Sequence, residues 1–239
     1  MAENKEARNH TAPLYVIGDI HGRLDLLDRL IKAIHRDVGA NANKSLTVTL
    51  GDYVDRGPNS RGVINRLSIN PFPGEFIALK GNHEELLQNF LSQPESGQHW
   101  RQIGGLETLR SFGIPVAPLM KGQNYDQAAE QLHDTLSPTE TAFLGSLRLS
   151  LTVDRFFLCH AGVRPGVPLD RQTPADLLWI RDEFLNSNAD FGKLIIHGHS
   201  PVVEPEIRAN RINIDTGAFA TGRLTCAVIE ADNFRFMAT

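Results

Sequence analysis

The chain has 239 residues, of which 41% are hydrophobic and 22% are charged, as in an ordinary globular protein. Its net charge of −4 argues against a broad surface for nucleic acid, and no apolar run is long enough to span a membrane. The polar start "MAENKEARNH" lacks the apolar core of a secretory signal. We therefore expect a cytoplasmic protein with no membrane and no nucleic-acid partner. Residues 1–12 are predicted to be a flexible tail, and residues 13–239 a single domain.

Predicted strands and helices alternate over the first part of the chain. Apolar, β-branched runs predict buried strands at 14–17, 45–50 and 75–80. Apolar residues at helical spacing predict a helix over 23–38, and another helix is predicted after "GPNS". This order indicates a parallel sheet, in which functional residues gather at the carboxyl ends of the strands.

The middle of the chain breaks this alternation. Residues 94–150 predict helices around loops, and "SPTE" at 137–140 has the spacing of a capping box. We interpret this span as a helical insertion that caps the sheet. Further strands are predicted at 155–160 and 193–199, and the last part of the chain, from "RINIDTG" onward, predicts antiparallel strands.

Polar side chains follow the end of every strand predicted up to residue 199. They belong to aspartate, asparagine and histidine, namely Asp19, His21, Asp52, Asn82, His83, His160, His197 and His199. Alone, such an aspartate is typical of a helix N-cap, and such a histidine is typical of a structural position. Together, at one edge of one sheet, these groups suit two divalent cations, and one carboxylate can bridge a pair about 3.5–4 Å apart. Strand alternation should also point Asp19 and His21 to the same side.

Three motifs resemble the signature blocks of one enzyme family. "GDIHG" (18–22), "GDYVDRG" (51–57) and "GNHE" (81–84) resemble those of the PPP-type metallophosphatases, which include serine/threonine phosphoprotein phosphatases and bacterial diadenosine tetraphosphatases. "CHAG", "HGHS", "WIR" and "IDTGA" also resemble pieces of this family, so the resemblance spans about residues 14–230, nearest the bacterial branch. It implies an α/β calcineurin-like metallophosphoesterase fold, in which central mixed β-sheets form a sandwich flanked by helices.

The resemblance also implies a role for each residue of the site. Two divalent metal ions, bridged by Asp52, would be held by Asp19, His21, Asp52, Asn82, His160 and His199. The catalytic residues would be His83 as general acid, Asp55 as its orienting partner, and Arg56 and Arg181 on the phosphate oxygens. The substrate would be bound by Arg56, Asn82, His83 and Arg181. His197 is expected to be structural.

The implied reaction is hydrolysis of phosphoserine and phosphothreonine esters in a phosphorylated protein or peptide, with phosphotyrosine also open. A hydroxide held between the two ions would attack phosphorus directly, without a phospho-enzyme. His83, kept cationic by Asp55, would protonate the leaving alkoxide. Mn²⁺ is the expected ion, and Fe, Zn and Mg are alternatives.

Other functions are weighed against this one. A cysteine-based phosphatase would need an arginine after five intervening residues, but Pro165 occupies that position relative to Cys159. A metal-dependent nuclease commonly has Gly-His-x-His, but Pro201 stands in place of the second histidine. A non-catalytic phosphate-binding module and a dinucleoside polyphosphate hydrolase stay alternatives. In the hydrolase, nucleobases could stack on Trp100, Tyr125 or Trp179. Trp100 could equally pack within the insertion.

Overall fold

A computed structural model describes residues 12–230 and 233–239, so the predicted tail lies outside the described residues up to position 11. The strands are β1 (Leu14–Ile17), β2 (Leu46–Thr49), β3 (Glu75–Ala78), β4 (Ser150–Val153), β5 (Phe156–Cys159), β6 (Leu194–His197), β7 (Glu206–Ile207), β8 (Arg211–Asn213), β9 (Thr225–Glu230) and β10 (Asn233–Ala238). The helices are α1 (Leu24–Asp37), α2 (Ser60–Leu67), α3 (Asn82–Ser92), α4 (Gly97–Trp100), α5 (Gly105–Ser111), α6 (Ala117–Met120), α7 (Tyr125–Thr135), α8 (Pro138–Ser146), α9 (Pro174–Trp179), α10 (Asp182–Leu185) and α11 (Ala218–Thr221). Within the described ranges, no helix is both long and apolar enough to cross a membrane.

The strands form two five-stranded sheets. In the first sheet the order is β10-β9-β1-β2-β3, where β1, β2 and β3 are parallel and β9 and β10 are antiparallel to their neighbours. In the second sheet the order is β4-β5-β6-β8-β7, where β5, β6 and β8 are parallel and the outer strands are antiparallel. The predicted fold, with two mixed sheets flanked by helices, is confirmed.

Apolar side chains from the facing sides of the two sheets form a buried layer between them. Val16 and Val48 of the first sheet share this cluster with Leu158 and Ile196 of the second. The sheets therefore pack as a sandwich.

Each sheet also buries its outer face under helices. Successive strand residues point to opposite faces, so Tyr15 and Ile17 belong to a second cluster, together with α1, α2, α3 and the helices of residues 97–146. On the other side, Phe157 of β5 packs in a third cluster that includes Phe184 of α10. Burial of β1 on both faces explains why its sequence is a continuous apolar run.

The predicted insertion is helical, and its capping box forms. The Ser137 backbone N–H donates to Glu140 Oε2 at 2.7 Å, and the Glu140 N–H donates to Ser137 Oγ at 3.2 Å. Helices α4 to α8 occupy this segment before β4 begins at Ser150.

Of the predictions about strand pairing, one is wrong and another holds only in part. The strands that end in polar residues do not share one sheet, because β1, β2 and β3 lie in the first sheet and β5 and β6 in the second. Strand β8, predicted to pair antiparallel, does so with β7 but is parallel to β6 on its other side, whereas β9 and β10 form the expected antiparallel hairpin. Periodicity reports which face of a strand is buried and carries no information on which partner it pairs with.

The layer between the sheets should contribute strongly to stability. Leu158 is fully buried there, so Leu158→Ala should lower the free energy of unfolding by about 2–5 kcal/mol through lost burial and a residual cavity. Ile69→Ala is the control, because Ile69 is 70% exposed and its truncation should change stability by less than about 0.5 kcal/mol. Urea unfolding measures both, and equal effects of the two substitutions would contradict the sandwich core.

Candidate active site

The loop after β1 carries Asp19 and His21 to the site. The backbone N–H groups of Ile20 and His21 both donate to the Asp52 carbonyl, at 3.1 and 2.7 Å, which ties this loop to the turn after β2. His21 has a φ of +46°, in the left-handed region. The expectation that strand alternation aligns Asp19 with His21 is wrong, because β1 ends at Ile17 and the loop geometry sets both directions.

The turn after β2 carries Asp52, Asp55 and Arg56. All three have left-handed backbone angles, with φ of 51°, 71° and 65°. Such angles are unfavourable for residues with a side chain, so the surrounding structure must hold them. Buried Glu84, in the first turn of α3, accepts from the backbone N–H groups of Asp52 at 2.8 Å and Tyr53 at 2.7 Å.

Asp52 joins two groups of side chains that could each hold a cation. One group is His21, Asp52 and His83, and the other is Asp52, His160 and His199. His21 Nε2 lies 3.4 Å from Asp52 Oδ2, and His160 Nε2 lies 3.4 Å from Asp52 Oδ1. All the members of both groups are buried.

Asn82 and Asp19 lie beside these groups. Asn82 Oδ1 is 2.9 Å from His160 Nε2 and 3.0 Å from His199 Nδ1, so it completes the second group. The Asp19 carboxylate accepts from the His199 backbone N–H at 3.1 Å and belongs to neither group by distance. Every predicted metal ligand is therefore close to Asp52 or to the residues around it.

The histidine tautomers leave lone pairs directed into the site. His21 Nδ1 lies 2.9 Å from the Val54 carbonyl, and His160 Nδ1 lies 3.0 Å from the Leu50 carbonyl. A carbonyl can only accept, so both Nδ1 atoms carry the proton and both Nε2 atoms present a lone pair. The lone pair of His160 then faces the Asn82 oxygen, and two acceptors at this distance repel each other unless a cation lies between them.

Burial keeps these imidazoles neutral. It lowers the pKa of His21 to about 3 and that of His199 to about 2. His199 Nε2 is buried and finds no hydrogen-bond partner among the residues that the structure describes. Neutral imidazole is the form that binds metal ions.

Three buried carboxylates add negative charge at the same place. Burial raises the pKa of Asp19, and the nearby charges of Asp215 and Asp52 raise it further. Burial raises the pKa of Asp215 to about 6. Carboxylates crowded out of water need compensating positive charge. The donor set of carboxylate, amide and imidazole therefore fits hard or borderline divalent cations.

His83 lies between this donor set and two charged partners. Its Nδ1 is 2.6 Å from Asp55 Oδ2, and its Nε2 is 3.3 Å from Arg56 Nη2. Burial lowers the pKa of His83, but the Asp52 and Asp55 carboxylates outweigh burial and the net shift is upward. The geometry brings Asp55, Arg56 and His83 together, as the motifs predicted.

Arg181 and Trp179 lie on the other side of the site. Arg181 is exposed, and its charge helps to lower the pKa of both His160 and His199. The Trp179 ring is 6.4 Å from the His199 ring, and its indole N–H donates to Glu85 Oε2 at 2.6 Å. Arg181 thus lies within electrostatic reach of the second group.

The remaining residues from the sequence predictions lie away from the donor set. The His197 ring packs at 5.0 Å against Phe184 instead of joining either group. Burial raises the pKa of the Cys159 thiol, which opposes a nucleophilic thiolate. Trp100 is buried and Tyr125 is half-buried within the helical segment, so of the three candidate stacking aromatics only Trp179 offers an exposed ring beside the site.

The sequence predictions missed several residues that shape the site. Phe219 packs its ring 5.4 Å from His21 and lies 4.7 Å beneath the Arg56 guanidinium. Beside it, a pocket of about 490 Å³ is lined by Arg23, Arg56 and Phe219, among other residues. Glu84 lies within the motif "GNHE" and Asp215 within "IDTGA". Their presence in these motifs is the one sequence signal that could have indicated a place in the site. For Phe219 the sequence offers none.

Comparison with known proteins finds similarity over most of the chain. The chain is 28% identical to bis(5'-nucleosyl)-tetraphosphatase PrpE (asymmetrical) of Anoxybacillus flavithermus, over 88% of this chain and 87% of that protein. It is 26% identical to serine/threonine-protein phosphatase 1 of Salmonella typhimurium, over 91% and 92% of the two chains. A solved structure of a cold-active protein tyrosine phosphatase has the same fold, with a TM-score of 0.62 at 14% identity, over 98% of this chain and 80% of that one.

A family model, that of the calcineurin-like phosphoesterases, matches residues 12–224. The match runs through strands of both sheets and takes in every strand-end motif up to His199. The chain therefore belongs to the calcineurin-like phosphoesterase family.

Proposed function

We propose that this protein is a metal-dependent phosphoprotein phosphatase that hydrolyses phosphoserine and phosphothreonine esters. The family depends on divalent metal ions. The observation that carries the proposal is the hydrogen-bonded pair of His83 and Asp55, at 2.6 Å, next to Asp52, the carboxylate common to the two groups that could hold cations. With the proposed ions bound, this arrangement would combine a proton donor with an electropositive phosphate site.

The metal ions in this proposal are two, with Mn²⁺ as the expected species. Of the first group, His21 and Asp52 would hold one ion together with Asp19, and His83 is reserved for proton donation. Asp52 would also bind a second ion, held by Asn82, His160 and His199. When bound, such ions activate water and neutralise charge on the phosphoryl group. Val54 and Leu50 keep the histidine lone pairs aimed inward through their carbonyls.

His83 is the proposed proton donor to the leaving group. Its Nδ1 proton is held by Asp55, so the free Nε2 proton would be delivered to the departing oxygen. A serine or threonine alkoxide is a strong base and needs that proton, whereas a nucleoside polyphosphate is a much weaker base. A dedicated acid therefore favours phosphomonoesters as substrates.

Arg56 and Arg181 are the proposed phosphate-binding residues. Arg56 lies over the face of Phe219, with its guanidinium carbon 4.7 Å from the ring centroid, so the guanidinium is oriented before substrate arrives. A planar guanidinium can donate two parallel hydrogen bonds to phosphate oxygens. Asn82 and His83 would complete the contacts to substrate.

A second candidate function is hydrolysis of dinucleoside tetraphosphates. It is favoured by the relative named as a tetraphosphatase at 28% identity and by the pocket of about 490 Å³ beside Arg56. The pocket has the size of small-molecule sites, and Phe219 offers an aromatic surface in it.

A side-by-side rate comparison separates these functions. With Mn²⁺ present, kcat/KM should be higher for phosphoserine and phosphothreonine peptides than for diadenosine tetraphosphate, with a phosphotyrosine peptide as a third arm. The reverse order would overturn the proposal in favour of the tetraphosphatase. Binding of Mn²⁺ with no turnover of any substrate, p-nitrophenyl phosphate included, would indicate a non-catalytic phosphate-binding module.

Replacement of the proposed acid should depend on the leaving group. His83→Asn should lower kcat on alkyl phosphates about 10²–10³-fold, the scale expected for losing a general acid. The loss on p-nitrophenyl phosphate should be smaller, because nitrophenolate leaves with less need of a proton. His133→Asn is the control, since the His133 side chain is 80% exposed on α7. Equal losses on both substrates would argue against His83 as the acid.

Replacement of the shared carboxylate should remove metal. Asp52→Asn takes away the charge that both groups use, so the purified variant should bind far less Mn²⁺ in equilibrium dialysis than the wild type. Asp134→Asn, at an exposed position on α7, should leave the bound Mn²⁺ unchanged. Retention of two ions per chain by Asp52→Asn would contradict the bridging role.

A further inference from the structure

We infer that Trp100 and Thr108, in the helical segment after α3, are positioning residues for the Asp55–His83 pair. This inference rests on the proposed function, in which His83 donates the proton. It assigns the helical segment a part in catalysis through Asp55, although neither Trp100 nor Thr108 touches the substrate.

The Asp55 carboxylate is held by three donors, and two of them come from the helical segment. The Trp100 indole N–H donates to Oδ2 at 2.7 Å, the same oxygen that His83 Nδ1 contacts at 2.6 Å. The Thr108 hydroxyl donates to Oδ1 at 2.6 Å. Asp55 is fully buried, so no solvent is available to replace a lost donor. The direction in which Asp55 holds His83 is therefore fixed by Trp100 and Thr108.

The same segment holds the backbone of this turn. The Asp55 N–H donates to Thr108 Oγ1 at 2.8 Å, and the Arg56 N–H donates to the Gly104 carbonyl at 3.2 Å. Asp55 and Arg56 both have left-handed φ angles, a conformation that persists only under such restraint. A Cβ at Gly104 would lie 2.7 Å from Arg56 N, so the approach of the two chains requires glycine there.

Trp100 is itself unable to move away from Asp55. Its side chain is buried, and a Cβ at Gly105 would lie only 2.4 Å from its ring atom Cδ2. On another side, the Phe90 ring of α3 packs with its centroid 5.0 Å away. Because His83 lies in the first turn of the same helix α3, the contacts form a closed circuit from His83 through α3, Phe90, Trp100 and Asp55 back to His83.

Loss of these donors should weaken proton donation and spare metal and phosphate binding. Neither Trp100 nor Thr108 contacts the donor set around Asp52, and without the Thr108 hydroxyl the Asp55 N–H still has Ser60 Oγ as an acceptor at 3.1 Å. The Mn²⁺ content and KM should therefore stay unchanged. A freed carboxylate would allow the His83 ring to turn, and small misplacements of a reacting group have large effects on rate. The defect should therefore be confined to substrates whose leaving group needs the proton.

The hydrogen bond itself can be tested without activity. The chain has 2 tryptophans, so a ¹H–¹⁵N spectrum should hold two indole N–H signals, which Trp179→Phe assigns. We expect the Trp100 signal to exchange slowly with solvent and to move in Asp55→Asn while the Trp179 signal stays in place. A Trp100 signal that exchanges as fast as that of Trp179, or that ignores Asp55→Asn, would overturn the inference.

The catalytic consequence is tested with matched variants at both positions. Trp100→Phe and Thr108→Val should each lower kcat on phenyl phosphate about tenfold, with a clearly smaller effect on p-nitrophenyl phosphate. Thr108→Ser keeps the hydroxyl and should restore the phenyl phosphate rate. Equal losses on both esters, or a Thr108→Ser variant as slow as Thr108→Val, would overturn the inference. Absence of turnover of both esters by the wild-type protein would instead overturn the proposed function, while the indole spectrum still reports on the contact.

Discussion

The candidate site is built around the buried carboxylate of Asp52 and its close contacts with histidine side chains. Its oxygens face imidazoles of His21 and His160 whose lone pairs point inward, in a region closed to water. Such a gathering of acceptors is unfavourable without positive charge among them. The rigid fold tolerates it because backbone carbonyls fix the rings and because Glu84 holds the turn that carries Asp52. Because a bound cation would relieve the electrostatic repulsion between these acceptors, the site is suited to cations.

The sandwich brings these side chains together from separate parts of the chain. Strands β1 and β2 deliver Asp19, His21 and Asp52 from one sheet, whereas β5 and β6 deliver His160 and His199 from the other. The layer between the sheets therefore sets the distance between the two halves of the donor set. The helical segment adds a third constraint, because it closes on the turn at Asp55 and Arg56 through side-chain and backbone hydrogen bonds. The hydrogen bonds that hold this turn therefore also orient the proposed catalytic residues.

Much of the fold and of the candidate site could be predicted from the sequence, because the strand-end motifs are local and chemically specific. The burial of β1, the capping box at Ser137 and the grouping of Asp52 with His160 and His199 all follow from residues near one another or from the motif pattern. What could not be predicted depends on pairing between distant segments. The division of the strands between two sheets, the loop that orients Asp19, and the placement of Phe219 under Arg56 have no local signal. From the sequence, Trp100 could be interpreted either as a stacking surface for a nucleobase or as a packing residue of the insertion. Neither interpretation predicts its hydrogen bond to Asp55.

Electron paramagnetic resonance of the wild-type protein titrated with Mn²⁺ can show whether two divalent ions share Asp52, as we propose. Ions about 3.5–4 Å apart are close enough for their spins to couple. Binding should saturate at two ions per chain and give the spectrum of an exchange-coupled pair. Saturation at one ion per chain, or two bound ions with the spectra of isolated Mn²⁺, would contradict a pair of ions that share Asp52.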